Sequence, residues 1–418
     1  MLTYAFIALL FADILLRCWL SLRQIRHVLA HRDAVPPEFS ARIGLHSHQR
    51  AADYTVARAK LGIIERFFDA AVLVALTLLG GLQLFNVFAS NLTDNDFVRQ
   101  LLLIGGVAVT LGVIGLPFTL YRHFRLESRF GFNRMTLKLF MADTLKGTLV
   151  GALLGIPLVA LVLWLMGAAG QYWWIWAWAA WIAFNMLMLV LFPAVIAPMF
   201  NKFKPLDDNR LAQRIRALTE RCGFALNGLF VMDGSKRSAH GNAYFTGFGK
   251  ARRIVFFDTL LSRLNEDEIE AVLAHELGHF AKRHIIKRVL ISFAVAFVFF
   301  ALLGWAAAQP AFYEGLGVTP ILGQSQDAMA LLLFFLVLPV CTFVFTPIGS
   351  WYSRQHEFEA DNYAREQSRP EFLVSALVKL YDDNAATLTP DPMHSAFYDS
   401  HPPAAVRIRH LQAQGVAA

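Results

Sequence analysis

Seven stretches of this chain are apolar on every face: roughly residues 2–22, 67–90, 100–121, 147–167, 172–200, 289–308 and 328–349. A bilayer is crossed by about 20 apolar residues in a helix, so each stretch is long enough to span. Two regions break the pattern, 201–288 and 350–418. In the first, DNRLAQRIRALTER (208–221) spaces Leu211, Ile215 and Leu218 as the buried stripe of a helix. GLFVMD, NAYFTGFG and RRIVFFD are short β-rich runs interrupted by Gly, Asn and charge. RLNEDEIEAVLAHELGHFAKRH then opens as a helix should: Asn265 is a candidate N-cap, Glu268 stands three residues on, and acidic side chains fill the first turn. The pattern predicts a mainly α, polytopic membrane protein with seven transmembrane helices and a small β-sheet leading into a polar helix.

The expected organisation is transmembrane helices 1–5 with their loops over 1–200, a polar segment over 201–288, helices 6–7 over 289–349, and a C-terminal segment over 350–418. Composition agrees: 56% of the 418 residues are apolar and 17% charged, against about a quarter charged in soluble proteins. The first stretch lacks a basic leader region and a small-residue cleavage site, and it carries Asp13 and Arg17. It reads as a retained helix, not a signal peptide. Asp13 and Arg17 stand four apart, so they are expected to pair and to face a hydrated interior.

Charge orients the spans. The loops between stretches one and two and between three and four are rich in Arg and Lys, as are 201–288 and the tail. The alternate loops hold little beyond Arg99. Basic loops stay in the cytoplasm, which puts the N-terminus outside and both polar segments on the cytoplasmic side. A bacterial inner membrane is the expected setting, although an endoplasmic reticulum membrane would show the same bias. The net charge of +7 follows from this asymmetry and suits membrane lipid; no nucleic-acid motif accompanies it. Cys18, Cys222 and Cys341 have neither metal-ligand nor disulfide spacing.

The chemistry lies in HELGH. His275 and His279 are i and i+4 and share a helix face, with Glu276 beside them. Imidazole nitrogen suits zinc, a catalytic site keeps one position for water, and an adjacent glutamate can take that water's proton. A third protein ligand is needed. In SRQHEFEADNYAREQ (353–367), Glu357 and Asp361 share one face and Glu359 points elsewhere. Glu357 is assigned as the third ligand and Asp361 as a group orienting a ligand histidine; a solvated acidic helix face is the competing reading. His284, five residues after His279, falls off the metal face of a continuous helix and reads as structural, as does His356. KRHIIKR (282–288) reads as an anchor at the membrane edge.

HELGH together with HEFEAD resembles the gluzincin-type integral membrane metalloproteases. RLESRFGFNRMT (125–136), FPAVIAPMFNKFKPL (192–206), GSKRSAHGNAYFTGFGKARRIVFFDTLL (234–261) and SHPPAAVRIRHL (400–411) narrow the likeness to the type I CAAX prenyl endopeptidases and their bacterial relatives, over nearly the whole chain. The resemblance implies a gluzincin-like cytoplasmic protease domain and seven helices around a water-filled chamber. It implies one Zn2+ per chain on His275, His279 and Glu357, with Glu276 as catalytic base. Asn242, Ala243 and Tyr244 would lie on an edge strand that pairs with an extended substrate. His401 and Arg407 would stabilise the oxyanion or hold the substrate; support of the fold is an alternative for both. Gly241 stands where eukaryotic members carry Ser, a small-for-small exchange.

The expected function is therefore zinc-dependent hydrolysis of a membrane-associated peptide or protein, prenylated in the CAAX case. A stress-type quality-control membrane protease and a transporter with a vestigial zinc site are the alternatives. An intramembrane-cutting protease is disfavoured because Glu268, Glu270, Lys282 and Arg283 flank the motif.

Overall fold

The computed structural model describes residues 1–246 and 253–413. Gly247, Phe248 and Gly249 of the predicted NAYFTGFG run, and Arg252, the first residue of the RRIVFFD run, lie outside the described residues. The chain opens with helices α1 (Leu2–Ala30), α2 (Leu45–Leu76), α3 (Gly81–Leu92), α4 (Asp96–Tyr121), α5 (Leu137–Ala168) and α6 (Trp173–Leu191). The stretch predicted at 67–90 is not one straight span: α2 and α3 meet at a 52° bend. Gly80, left-handed at φ 78°, caps α3 at that break, a conformation glycine adopts without steric cost. Counting the bent pair as one, the described residues offer seven helical units apolar and long enough to cross a membrane. Arg17 Nε donates to Asp13 Oδ1 at 2.7 Å within α1, and the Arg17 guanidinium lies over the Phe343 ring.

A small mixed sheet follows. Strands β1 (Phe203–Pro205), β2 (Gly228–Met232), β3 (Ala243–Thr246) and β4 (Arg253–Phe257) stand in the order β1-β2-β4-β3. β2 and β4 are parallel, and the outer pairs are antiparallel. β1 was not anticipated, because three residues ending in proline carry no period. Helix α7 (Asn209–Arg221) packs Leu211, Ile215 and Leu218 against the sheet residues Leu229, Ile254 and Phe256, as its spacing predicts. Its N-cap is Asp208, whose side chain accepts from the Arg210 and Leu211 amides.

Helix α8 (Glu266–Ala281) carries HELGH. Its predicted capping box is present: the Asn265 side chain accepts from the Glu268 amide, and Glu268 Oε2 accepts from the Asn265 amide. Ser375 and Lys379 also donate to Glu268, which ties the helix start to a later helix. After α8 the backbone turns through Arg283, at φ 56°, into α9 (His284–Ala307). Then come α10 (Asp327–Thr342), α11 (Thr346–Gln367), α12 (Pro370–Asp383), α13 (Pro392–Tyr398) and α14 (Ala404–Ala413).

α8 lies along α11 and also contacts α12. The close approach of α8 to α11 depends on Gly278. A Cβ there would sit 2.9 Å from Ala360 Cα and 3.1 Å from Ala360 O, and backbone cannot step aside as a flexible side chain can. Gly278→Val is expected to cost about 1–3 kcal/mol of stability, read as a lower thermal unfolding midpoint. Gly62→Ala, with open space around the added carbon, should leave that midpoint unchanged or slightly raised.

Candidate metal centre

The i, i+4 spacing on α8 aims His275 and His279 at one point of α11, where Glu357 stands. One ligand atom from each of the three lies within 4.8 Å of the other two. His275 Nε2 is 3.4 Å from Glu357 Oε2, and His279 Nε2 is 3.4 Å from Glu357 Oε1. These separations are too long for good hydrogen bonds and leave room for an ion between the atoms. Glu357 is 2% exposed, and its Oε2 has no hydrogen-bond partner among the described residues. A buried carboxylate oxygen without a donor is costly, and a cation offsets that cost. Two imidazoles and one carboxylate are a donor set that zinc accepts. The residues present therefore fit the metal.

Electrostatics point the same way. Burial, and then the charge of His275, pull the His279 pKa down to about 3, so this imidazole is neutral, as a ligand must be. At His275 burial and Arg407 work against protonation, but Asp361 and Glu357 outweigh them and raise its pKa; the pocket favours positive charge at this point. Glu276 lies one residue around α8 and is partly buried. Burial is the main cause that raises its pKa, and the Glu357 charge adds to it.

Asp361, fully buried, holds His275: its Oδ1 is 2.8 Å from Nδ1. Arg407 stands behind this pair. It is 6% exposed, and its Nε donates to Asp361 Oδ2 at 2.9 Å while Nη1 lies 3.7 Å from Glu357 Oε2. Of the two readings the sequence allows for Arg407, contact with substrate or support of the fold, its position between two buried carboxylates favours the second. His401 differs. Its side chain is 65% exposed, with Nε2 at 3.5 Å from Glu357 Oε1. It lines a cavity of about 850 Å³ together with Tyr54, Arg58, His240, Tyr381 and Asn384.

Two side chains met here carried no functional reading in the sequence. His284 is not among the three converging residues, but the helix does not run on to it: the left-handed turn at Arg283 restarts the chain, and His284 Nδ1 lies 2.9 Å from His279 Nδ1, on the side of that ring away from Glu357. Glu359 is indeed turned away from the metal point, but its Oε2 is 2.8 Å from His284 Nε2. The signal was present in Lys282 and Arg283, since basic residues after an apolar helical run mark a helix end.

Ala243 and Tyr244 lie on β3, paired only with β4 in the described residues, so the other edge faces no strand there. Asn242 precedes the strand; its carbonyl accepts from the Phe257 amide, and its side chain accepts from the Ala243 amide. Tyr244 also lines an apolar groove of about 720 Å³ with Leu189, Val190, Pro193, Phe203 and Phe230.

Comparison with known proteins adds independent support. Residues 24–202 match the CAAX prenyl protease N-terminal domain with five membrane helices, and residues 205–414 match peptidase family M48. The CAAX prenyl protease 1 homolog of Arabidopsis thaliana is 36% identical over 324 residues, 77% of this chain and 75% of that protein. CAAX prenyl protease 1 of Saccharomyces cerevisiae is 32% identical over 403 residues, covering 90% of this chain and 88% of the other. The crystal structure of S. mikatae Ste24p superposes with a TM-score of 0.93 at 31% identity, over 99% of both chains. With membrane helices, small sheet and histidine-bearing helix all in that arrangement, the chain belongs to peptidase family M48 and is a multi-pass membrane metalloendopeptidase of the CAAX prenyl protease type.

Proposed function

We propose that His275 and His279, each through Nε2, and Glu357 hold one zinc ion per chain, and that Glu276 is the catalytic base. The convergence of these ligand atoms around a buried carboxylate oxygen without a hydrogen-bond donor carries this reading. Zinc in that position would acidify a water and polarise a carbonyl oxygen. Glu276 takes the proton of the attacking water and delivers it to the leaving amine. The exposed His401 donates where negative charge develops on the scissile carbonyl. Asp361 keeps the His275 proton on Nδ1. Arg407 holds Asp361 and neutralises the buried carboxylates, a positioning role and not a contact with substrate. Segments 201–288 and 350–418 thus work as one catalytic unit.

The substrate is an extended peptide that adds to the free edge of β3 through backbone hydrogen bonds, over Asn242, Ala243 and Tyr244. The apolar groove beside Tyr244 supports a lipid-modified peptide of the CAAX kind, the class named for the relatives. Charge bias supports an N-terminus outside and a site facing the cytoplasm.

Replacing Glu276 by Gln should preserve zinc content and reduce peptide cleavage about 100- to 10,000-fold; wild-type cleavage by that variant would remove Glu276 from the mechanism. Purified chain should contain about one zinc by elemental analysis. Chelation should abolish activity and added zinc restore it, whereas chelator-resistant cleavage would refute the metal reading. A farnesylated CAAX peptide should show a lower KM than the same peptide without the lipid, and equal KM values would argue against a lipid-modified substrate.

A further inference from the structure

A neutral imidazole carries one N–H and one lone pair, and only the lone pair can bind a metal. The nitrogen of His279 nearest Glu357 is Nε2, at 3.4 Å. If that atom binds the metal, the proton must sit on Nδ1 and needs an acceptor. The atom in place is Nδ1 of His284, at 2.9 Å. His284 can accept there only when its own proton is on Nε2. Glu359 Oε2 lies 2.8 Å from that Nε2, and a carboxylate can only accept. All three groups therefore agree on one direction: His279 donates to His284, and His284 donates to Glu359.

We propose that His284 and Glu359 form a positioning relay that fixes the tautomer and ring orientation of His279 and thereby strengthens metal binding. The two ligand histidines are then supported unequally. His275 rests directly on Asp361, which is fully buried. His279 rests on a second imidazole, which hands the bond to a carboxylate 46% exposed at the surface. The geometry is held from several sides. His284 is 1% exposed and stacks on His356 with ring centres 3.9 Å apart and planes 8° apart. The left-handed turn at Arg283 brings it back toward His279. The relay also joins the start of α9 to α11, the helix that carries Glu357.

This inference rests on the zinc reading above, and its test keeps the two apart. Full-length protein in detergent is stripped of metal, zinc affinity is measured by competition with a chelator of known affinity, and thermal unfolding of the stripped protein is followed in parallel. Wild-type protein that binds no zinc would overturn the metal site itself. With zinc bound by wild type, His284→Gln and His284→Leu should weaken affinity about 10- to 100-fold, because neither places an acceptor at the Nδ1 position. His284→Asn puts its amide oxygen close to that position and should stay within about threefold of wild type. The stripped variants should unfold near the wild-type temperature. Wild-type affinity in the Gln and Leu variants, or equal losses in Asn and Leu, would overturn the relay. Should the His284 variants fail to fold, Glu359→Ala on the exposed side decides: a severalfold loss of affinity supports the relay, and an unchanged affinity refutes it.

Discussion

The site depends on one close helix contact. α8 and α11 lie on opposite sides of two membrane-spanning helices in the chain, and their backbones meet where Gly278 faces Ala360. A glycine at that point lets the axes approach without a side chain between them, so imidazoles on one helix and a carboxylate on the other share a focus. The capping box at Asn265 and the bonds from Ser375 and Lys379 to Glu268 fix the start of α8. The rotation of α8 about its axis, on which the aim of His275 and His279 depends, is thereby set about two turns before His275.

Charge is arranged around that contact in layers. The imidazoles of His275 and His279 and the carboxylate of Glu357 converge on one point, and each imidazole is backed by a further group, Asp361 for His275 and the His284–Glu359 pair for His279. Arg407 closes the layer behind Asp361 and Glu357, a buried cation between two buried anions. Such an arrangement is stable only when every member is paired. Glu357 Oε2 is buried without a hydrogen bond among the described residues, beside the point where these side-chain atoms converge. His401 is the exposed member of the group and lines an open cavity.

The membrane helices shape access more than chemistry. Their packed core is separate from the core of sheet and α8, which is built on Ile215, Leu218, Ile254, Phe256 and Leu273. Between them, a polar cavity reaches His401 from one side, and an apolar groove runs beside β3 from the other.

Much of this was written locally in the chain. Apolar length marks a span because lipid solvates any apolar face, and no partner need be known. The cap at Asn265, the buried stripe of α7 and the shared face of His275 and His279 follow from helical spacing alone. Tertiary structure decided the rest. That Glu357 meets the two histidines, that Arg407 turns inward to Asp361, and that His284 turns back on His279 are contacts between segments whose relative placement no period encodes. The contact of His284 with His279 turns on a single backbone angle, at Arg283: spacing predicts direction only while the helix continues, and the left-handed turn after α8 is a feature of the folded chain.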